Sequence, residues 1–352
     1  MVEIKVTTFE DVKDLLRMNI VSAALGTAFE LKLFEIINNH PQDARKIAET
    51  FDIPLDRVYW WLELLVGLGL LEQDSGTYSI SPITRSAVFE SYSAETWAQL
   101  AQYAREGYRI GDNLVFHISH PKSVWASQGL SPPDWFKQIQ KDPTRARRFT
   151  YLLYELHLPL AKTLAQTLEM TGVRQMMDLG GGSGVMSLML LEQHTSLKAV
   201  VVDIPNVCVV GREIADNTIV ANRIEYRALD FIHDELPTGF DLILQCDAGI
   251  HTETFFQKLY NVLNKGGQLV IVDWWNRGIT DSQPVPDTSL QRRMKQFESS
   301  LQVPRLPITT GTEVATNIKS RLFQVGFRDI SLDTLEDETT IIRSKKPRQG
   351  VE

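Results

Sequence analysis

The sequence contains only two cysteines, Cys208 and Cys246, among 352 residues. This number is too small for a disulfide framework or a zinc-ribbon pattern. No stretch approaches the roughly 18 uncharged apolar residues that a membrane span needs, and the first residues resemble no targeting segment. The formal charge of −8 at pH 7 provides no positive field for nucleic acid or anionic lipid. We therefore expect a folded cytoplasmic protein whose partners include neither nucleic acid nor a membrane.

The first third of the chain has a helical pattern. Apolar residues recur at three- and four-residue steps from Phe9 to Asn38, which predicts amphipathic helix with one break near Gly26. A short helix, a Pro-marked turn, a second helix and a Gly-containing hairpin follow, up to about Phe89. This order is typical of a winged helix. We predict a winged-helix domain over residues 1–92 and a helical bridge over residues 93–166.

The pattern changes after Val173. Short β-branched runs alternate with helical stretches, which predicts βαβ units and a mostly parallel sheet. The last strand-like runs are joined by an acidic turn and suit an antiparallel hairpin at one side of that sheet. We predict an α/β domain over residues 167–352.

A glycine-rich segment, DLGGGSG, follows the first predicted strand of this domain and opens a helix. Its spacing does not fit the dinucleotide pattern G-x-G-x-x-G, because position 185 is Val. It does fit acidic-x-G-x-G-x-G through Asp178, Gly180, Gly182 and Gly184. Glycines here permit a tight turn and a close approach of the backbone to a ligand, and the acid can pair with a cationic amino group.

Two further strand ends carry suitable ligand groups. Asp203 ends the second strand, where a carboxylate can accept the two hydroxyls of a ribose. Asp230 and Phe231 end the third strand and can bond an adenine amino group and stack on its ring. The three strand ends together indicate a pocket for an adenosine with a charged amino-acid tail and no phosphate. S-adenosyl-L-methionine fits this description.

These motifs resemble the class I S-adenosylmethionine-dependent methyltransferases, in the small-molecule O-methyltransferase branch that carries an N-terminal winged-helix dimerisation domain. The resemblance covers nearly the whole chain and implies a Rossmann-like catalytic fold and a homodimer. By position, it implies that the segment at Gly180 binds the methionine end, Asp203 with Ile204 the ribose, and Asp230 with Phe231 the adenine. Phe149 and Leu153 match bridge-helix positions that cover the cofactor.

The chain departs from the family pattern after the fourth strand. Cys246 stands where the family usually has Lys, and we count it among the cofactor-binding positions. The following loop is about five residues shorter than usual and lacks the Leu-His-Asp-Trp segment whose His is the general base. Gapless alignment puts Ile250 on that His position and His251 one step away. His251 is the candidate catalytic base, with a partly exposed surface His as the alternative.

Three side chains are candidates for the acceptor pocket. Trp274 ends the fifth strand at the carboxyl edge of the sheet, where open α/β folds bind ligands. Met294 and Phe297 have helical spacing and could form a pocket wall, with core packing as the alternative. We expect no metal site.

Two other functions remain open at this point. A winged helix could bind DNA, but residues 40–90 have a net charge of −4 and the second helix carries Tyr59, Trp60 and Trp61, which favours protein contact and dimerisation. The missing Leu-His-Asp-Trp segment is compatible with carbon methylation, or with another reaction at the same site. The sequence predicts methylation of a small aromatic or polyketide-like molecule, with oxygen, nitrogen and carbon acceptors in that order.

Overall fold

The computed structural model describes residues 6–119, 139–273, 294, 297, 311–335 and 339–348. The chain divides into two compact units, Met1–His120 and Pro121–Glu352. Within the described residues, no helix is both long enough and apolar enough to cross a membrane.

The first unit contains eight helices and three short strands among its described residues. The helices are α1 (Phe9–Leu15), α2 (Met18–Glu30), α3 (Leu33–Asn38), α4 (Ala44–Phe51), α5 (Leu55–Gly67), α6 (Pro82–Phe89), α7 (Ala94–Asp112) and α8 (Leu114–Ser119). The strands are β1 (Gln42–Asp43), β2 (Leu71–Asp74) and β3 (Thr77–Ile80), and they form an antiparallel sheet in the order β1-β3-β2. Helices α4 and α5 followed by the β2–β3 hairpin confirm the predicted winged helix.

The break expected near Gly26 is wrong. Gly26 lies inside α2, and the chain breaks instead around Arg17 and at Lys32, whose φ of 56° is left-handed. A Cβ on Gly26 would lie 3.6 Å from the Cβ of Ala101 on α7. Gly26 therefore faces α7, and the packing of α2 against α7 supports a continuous helix through this glycine.

The second unit is an α/β domain. Its described helices are α9 (Pro143–Thr167), α10 (Val185–Gln193), α11 (Pro205–Asp216), α12 (Glu253–Val262) and α13 (Gly311–Val325), with a 3₁₀ turn at Ala221–Arg223. Its described strands are β4 (Gln175–Leu179), β5 (Lys198–Asp203), β6 (Ile224–Ala228), β7 (Phe240–Cys246), β8 (Leu263–Asp273), β9 (Arg328–Thr334) and β10 (Thr340–Lys345). These strands form one sheet in the order β6-β5-β4-β7-β8-β10-β9.

The sheet is parallel except for β10, which pairs antiparallel with both β8 and β9. The predicted C-terminal hairpin is thus confirmed. Neighbouring residues of the central strands point to opposite faces, because side chains alternate along a strand. Met176 belongs to the core beneath α9, α10 and α11, whereas Met177 belongs to the core beneath α12 and α13. Helices cover both faces, as a parallel sheet requires.

The strand order reverses between β4 and β7, since the chain proceeds from β4 outward to β6 and then returns to β7. In open α/β sheets the crevice at such a reversal, outside the carboxyl ends of the strands, is where ligands bind. The ends of β4, β5, β6, β7 and β8 lie at this edge of the sheet.

Candidate active site

The glycine loop leaves β4 at this edge and ends at the first turn of α10. Gly180, Gly182 and Gly184 have φ values of 68°, 59° and 77°, a left-handed conformation that favours glycine. The amide of Gly180 donates to the carbonyl of Val202 at 2.8 Å, which ties the loop to β5. Gly181 also matters, because a Cβ there would lie 2.5 Å from Cγ of Asp178. In the sequence, Gly181 could have been noticed as the middle residue of the run Gly180–Gly182.

Asp178, on β4 just before the loop, is completely buried. Ser187 on α10 donates its hydroxyl to Oδ2 of Asp178 at 2.7 Å. Oδ1 of Asp178 has no hydrogen-bond partner among the described residues. Burial, with the nearby charge of Asp203, raises the pKa of Asp178 to about 6. A buried carboxylate oxygen of this kind is stabilised by a cationic donor such as an amino group.

Asp203 ends β5 and faces the same loop. Its Oδ2 accepts from the amide of Gly182 at 2.8 Å, and its Oδ1 accepts from the amide of Ile204 at 2.7 Å. Ile204 is the residue before α11, which begins with Pro205. Burial raises the pKa of Asp203 to about 6 in spite of these hydrogen bonds, so this carboxylate is ionised at pH 7 in an unfavourable environment.

After β6, Phe231 lies against the glycine loop, whereas Asp230 forms hydrogen bonds within its own turn. The ring of Phe231 lies 3.6 Å from the position that a Cβ on Gly180 would occupy. The exposed carboxylate of Asp230 accepts from the amide of Ile232 at 3.0 Å and contacts Nδ1 of His233 at 2.8 Å. The hydrogen bond from His233 lowers the pKa of Asp230. Asp230 therefore stabilises its own turn while remaining accessible at the pocket edge.

Lys258 on α12 supports this turn and was not predicted from the sequence. Its ammonium group donates to the carbonyls of Phe231 at 3.0 Å and Ile232 at 3.1 Å, and also to that of Asp234. In the sequence Lys258 has the pattern of an ordinary exposed helical lysine, so nothing there marks this role.

Helix α9 contributes Phe149 and Leu153, which are both half-buried. Phe149 packs with Ile139, Ala146 and Val207, and Ile204 lies against the same cluster. Phe149 and Ile204 thus pack against the same small cluster, and the covering role of Phe149 and Leu153 stays a prediction.

His157, one turn beyond Leu153 on α9, was not singled out in the sequence. Burial lowers the pKa of His157, and the carboxylate of Asp247 opposes this effect. Asp247 directly follows β7, so His157 and Asp247 lie at the same edge of the sheet as the glycine loop.

Cys246 ends β7 and is half-buried. Burial, together with the carboxylates of Asp178, Asp247 and Asp273, raises the pKa of its thiol well above the usual value. The thiol therefore remains protonated and is a poor nucleophile.

The shortened loop after β7 places His251 beside the end of β8. Nε2 of His251 lies 3.8 Å from Oδ2 of Asp273, and both side chains are mostly buried, with exposed fractions of 14% and 12%. Burial, with the positive charge of Arg321, lowers the pKa of His251 to about 4. Arg321 also donates to the carbonyl of His251 at 2.7 Å. Ile250, by contrast, packs in the core beneath α12 and α13.

The loop that carries His251 adjoins the glycine loop. A Cβ on Gly180 would lie 3.4 Å from the Cβ of Ala248, three residues before His251. The amide of Gln245 donates to the carbonyl of Ile250 at 2.9 Å and fixes the return of this loop. The structure therefore brings His251 and Asp273 to the edge of the sheet that carries Asp178 and Asp203.

The proposed acceptor residues are described only in part. Trp274 lies outside the described residues. Met294 and Phe297 are helical, and their exposed fractions are 61% and 48%. Their role in the acceptor pocket stays a prediction.

The fold and the pocket define a class of protein. The strand order reverses at β4, and the glycine loop has left-handed backbone at Gly180, Gly182 and Gly184. Together with the buried Oδ1 of Asp178, which can accept from an amino group, these features fit a bound S-adenosylmethionine. These are the features of class I methyltransferases.

Comparisons with known proteins agree with this class and define the family. Residues 97–303 match the O-methyltransferase domain, and residues 13–88 match the O-methyltransferase dimerisation domain. The chain belongs to the O-methyltransferase family; it is an S-adenosylmethionine-dependent methyltransferase, and S-adenosylmethionine is its cofactor.

Two relatives are O-methyltransferases by name. The chain is 29% identical over 223 residues to the 3-hydroxy-5-methyl-1-naphthoate 3-O-methyltransferase of Streptomyces sahachiroi. This match covers 62% of this chain and 62% of that protein. It is 25% identical to the tetracenomycin polyketide synthesis 8-O-methyl transferase TcmO of Streptomyces glaucescens, over 93% of this chain and 94% of that protein.

Solved structures share the fold. PigF with SAH has a TM-score of 0.77 at 18% identity and covers 97% of this chain and 100% of its own. Human N-acetylserotonin methyltransferase in complex with SAM has a TM-score of 0.76 at 19% identity and covers 99% of this chain and 100% of its own. The predicted fold class, a Rossmann-like sheet after an N-terminal helical domain, is confirmed.

Proposed function

We propose that this enzyme methylates a hydroxyl of an aromatic or polyketide-like small molecule. His251 carries this proposal, because it is a buried imidazole beside a carboxylate at the edge of the sheet that bears the cofactor pocket. The family match and the naphthoate and tetracenomycin relatives support an oxygen acceptor of this kind.

The cofactor pocket is proposed residue by residue. Asp178 and the loop from Gly180 to Gly184 hold the methionine end, with Oδ1 of Asp178 accepting from its amino group. Asp203 accepts from the ribose hydroxyls beside Ile204, and Asp230 with Phe231 binds the adenine. Phe149 and Leu153 cover the pocket from α9, and Cys246 borders it as a neutral thiol. When bound, the cofactor supplies a methyl group on a positively charged sulfur.

The remaining chemistry belongs to the chain. Because the pKa of His251 is lowered to about 4, its ring is neutral at pH 7 and can accept the proton of an acceptor hydroxyl. The carboxylate of Asp273, 3.8 Å away, favours the imidazolium that forms. Positioning of the two reactants supplies the rest of the acceleration.

Carbon or nitrogen methylation is the second candidate. A histidine whose pKa is about 4 is a weak base, and an acceptor that is already nucleophilic needs none. Relatives named as an L-tyrosine C(3)-methyltransferase and an N,N-dimethyltransferase support this candidate at 22% and 24% identity.

We also propose a homodimer that forms through the first unit. Apolar side chains on α1, α2 and α5 are exposed, among them Phe9 at 73%, Ile20 at 56% and Trp60 at 70%, and so is Leu16, directly after α1, at 82%. The dimerisation-domain match over residues 13–88 supports this assignment. The division into residues 1–92, 93–166 and 167–352 and the cytoplasmic location stay predictions.

The experiment is a methyl-transfer assay with isotope-labelled cofactor over matched acceptors. The panel contains naphthols and polyketide phenols, the same compounds with each hydroxyl replaced by an amine, and the same compounds with each hydroxyl blocked as a methyl ether. Nuclear magnetic resonance of the product locates the new methyl group. Label on oxygen supports the proposal, whereas label on carbon of the blocked compounds would establish the second candidate.

A further inference from the structure

We propose that Tyr226 is a positioning residue for cofactor binding, because its hydroxyl and its ring contact the glycine loop and fix its position. Tyr226 lies on β6, two strands away from β4 in the sheet, and it is 9% exposed. No part of the glycine motif includes it. This inference rests on the proposed cofactor pocket.

The hydroxyl of Tyr226 makes the first contact. It donates to the carbonyl of Ser183 at 2.8 Å, in the middle of the loop between Gly182 and Gly184. Ser183 is also buried, with an exposed fraction of 3%, so its carbonyl depends on a partner from the protein. Burial raises the pKa of Tyr226 further above its usual range, and the hydroxyl is therefore a donor at every pH of interest.

The ring of Tyr226 makes the second contact, in a space that two glycines provide. A Cβ on Gly184 would lie 2.4 Å from the Tyr226 oxygen, and a Cβ on Gly211 would lie 2.3 Å from Cε1 of the ring. Gly211 lies inside α11, where glycine weakens a helix relative to alanine. The close approach of the ring supplies the reason for a glycine at this unfavourable position.

Both contacts act on the residues that bind the cofactor. The Cβ position of Gly211 is also 3.0 Å from the carbonyl of Gly182, whose amide donates to Asp203 at 2.8 Å. Gly184 directly precedes α10, which carries Ser187, the partner of Asp178. The position of the Tyr226 ring and hydroxyl therefore sets the conformation of the loop between the carboxylates of Asp178 and Asp203.

The first test is Tyr226→Phe, which keeps the ring and removes only the hydroxyl. We expect the dissociation constants of S-adenosylmethionine and S-adenosylhomocysteine, measured by calorimetry, to rise about three- to tenfold. The KM of the cofactor should rise with them while kcat at saturating cofactor is unchanged, since the lost interaction is uniform. Amide hydrogen exchange of residues 180–186 in the cofactor-free protein should become faster.

Tyr260→Phe is the matched control. Tyr260 lies on α12 and packs its ring edge-on against Phe327, with centroids 5.1 Å apart, in the core on the other face of the sheet. We expect this variant to bind both ligands like the parent protein and to leave exchange of the loop unchanged. If Tyr226→Phe also stays within twofold of the parent and loop exchange does not change, Tyr226 is a packing residue and the inference is wrong.

A second variant tests the ring. Gly211→Ala places a methyl group against the ring while the hydroxyl remains, and we expect cofactor binding to weaken more than tenfold. The double variant Gly211→Ala with Tyr226→Leu should bind the cofactor no more weakly than the weaker-binding of its two single variants, because both changes act on one contact. Strictly additive losses would contradict this.

Asp203→Asn separates this inference from the pocket assignment. If Asp203→Asn loses affinity and Tyr226→Phe does not, the pocket stands and the positioning role fails. If Asp203→Asn binds S-adenosylmethionine like the parent, the pocket assignment fails and the role of Tyr226 fails with it.

Discussion

Asp203→Asn should separate cofactor affinity from stability. The two oxygens of Asp203 each accept one amide, from Gly182 at 2.8 Å and from Ile204 at 2.7 Å. Asparagine has nearly the same shape but only one acceptor oxygen, so it can keep one of these bonds. The change removes a buried charge and one hydrogen bond from the same site.

The pKa of Asp203 already combines the two effects on stability, because burial raises it while the hydrogen bonds from Ile204 and Gly182 lower it. The net rise from 3.8 to about 6 corresponds to a cost of about 3 kcal/mol for the ionised carboxylate in the folded protein. A neutral asparagine does not carry this cost. We therefore expect the free energy of unfolding of the cofactor-free protein at pH 7 to stay the same or to rise, by at most about 3 kcal/mol.

Cofactor binding should change in the opposite direction. The variant has lost the charged acceptor for the ribose hydroxyls, and two charge-assisted hydrogen bonds become neutral or are lost. We expect a loss of about 2–3 kcal/mol, which is a rise of about 30- to 150-fold in the dissociation constant of S-adenosylmethionine.

The assay combines calorimetric binding with urea unfolding, and Asp241→Asn is the matched control. Oδ2 of Asp241 accepts from the amides of Arg174 at 3.0 Å and Gln175 at 3.1 Å, at the opposite end of β7, and these hydrogen bonds help to lower its pKa. Its replacement should reduce stability by about 1–2 kcal/mol and leave cofactor affinity unchanged. The reasoning is refuted if Asp203→Asn keeps parental affinity, or if it loses stability as Asp241→Asn does.

Three further predictions concern pH, the base and the dimer. Cofactor affinity should fall as pH drops through about 6, because Asp178 and Asp203 take up protons there. The same proton uptake should stabilise the cofactor-free protein between about pH 6 and 4. Unfolding curves at each pH would therefore show whether a loss of affinity is instead caused by a loss of folded protein. His251→Ala should lower turnover on a weakly acidic hydroxyl about 10²- to 10⁴-fold at unchanged cofactor affinity, and full turnover would remove His251 from the mechanism. Trp60→Glu, at a side chain 70% exposed, should shift sedimentation from dimer to monomer, and an unchanged dimer would place the interface elsewhere.

The sequence was sufficient for the fold and for the glycine loop. Alternation of period 2 and period 3.6 marked the sheet and its helices, and the winged helix and the C-terminal hairpin were confirmed. Gly180, Gly182 and Gly184 were expected to permit a tight turn, and the structure has left-handed backbone at each of them. These features are local, because φ preferences and side-chain periodicity act over a few residues.

Local pattern could also mislead. Gly26 suggested a helix break, but it lies within α2 and faces Ala101 of α7. The register after β7 was ambiguous between Ile250 and His251. Only the folded chain showed that Ile250 packs in the core while His251 lies beside Asp273.

What the sequence determined by itself was the type of each element and the identity of the groups at the strand ends. What only the tertiary structure decided was which groups meet. His251 and Asp273 are 22 positions apart, Lys258 reaches carbonyls more than 20 positions away, and Tyr226 reaches Ser183 over 43 positions. Such contacts depend on strand order and on burial, which also raises the pKa of Asp178 and Asp203 and lowers that of His251. No short-range sequence pattern encodes strand order or burial, because both arise from the packing of the whole domain.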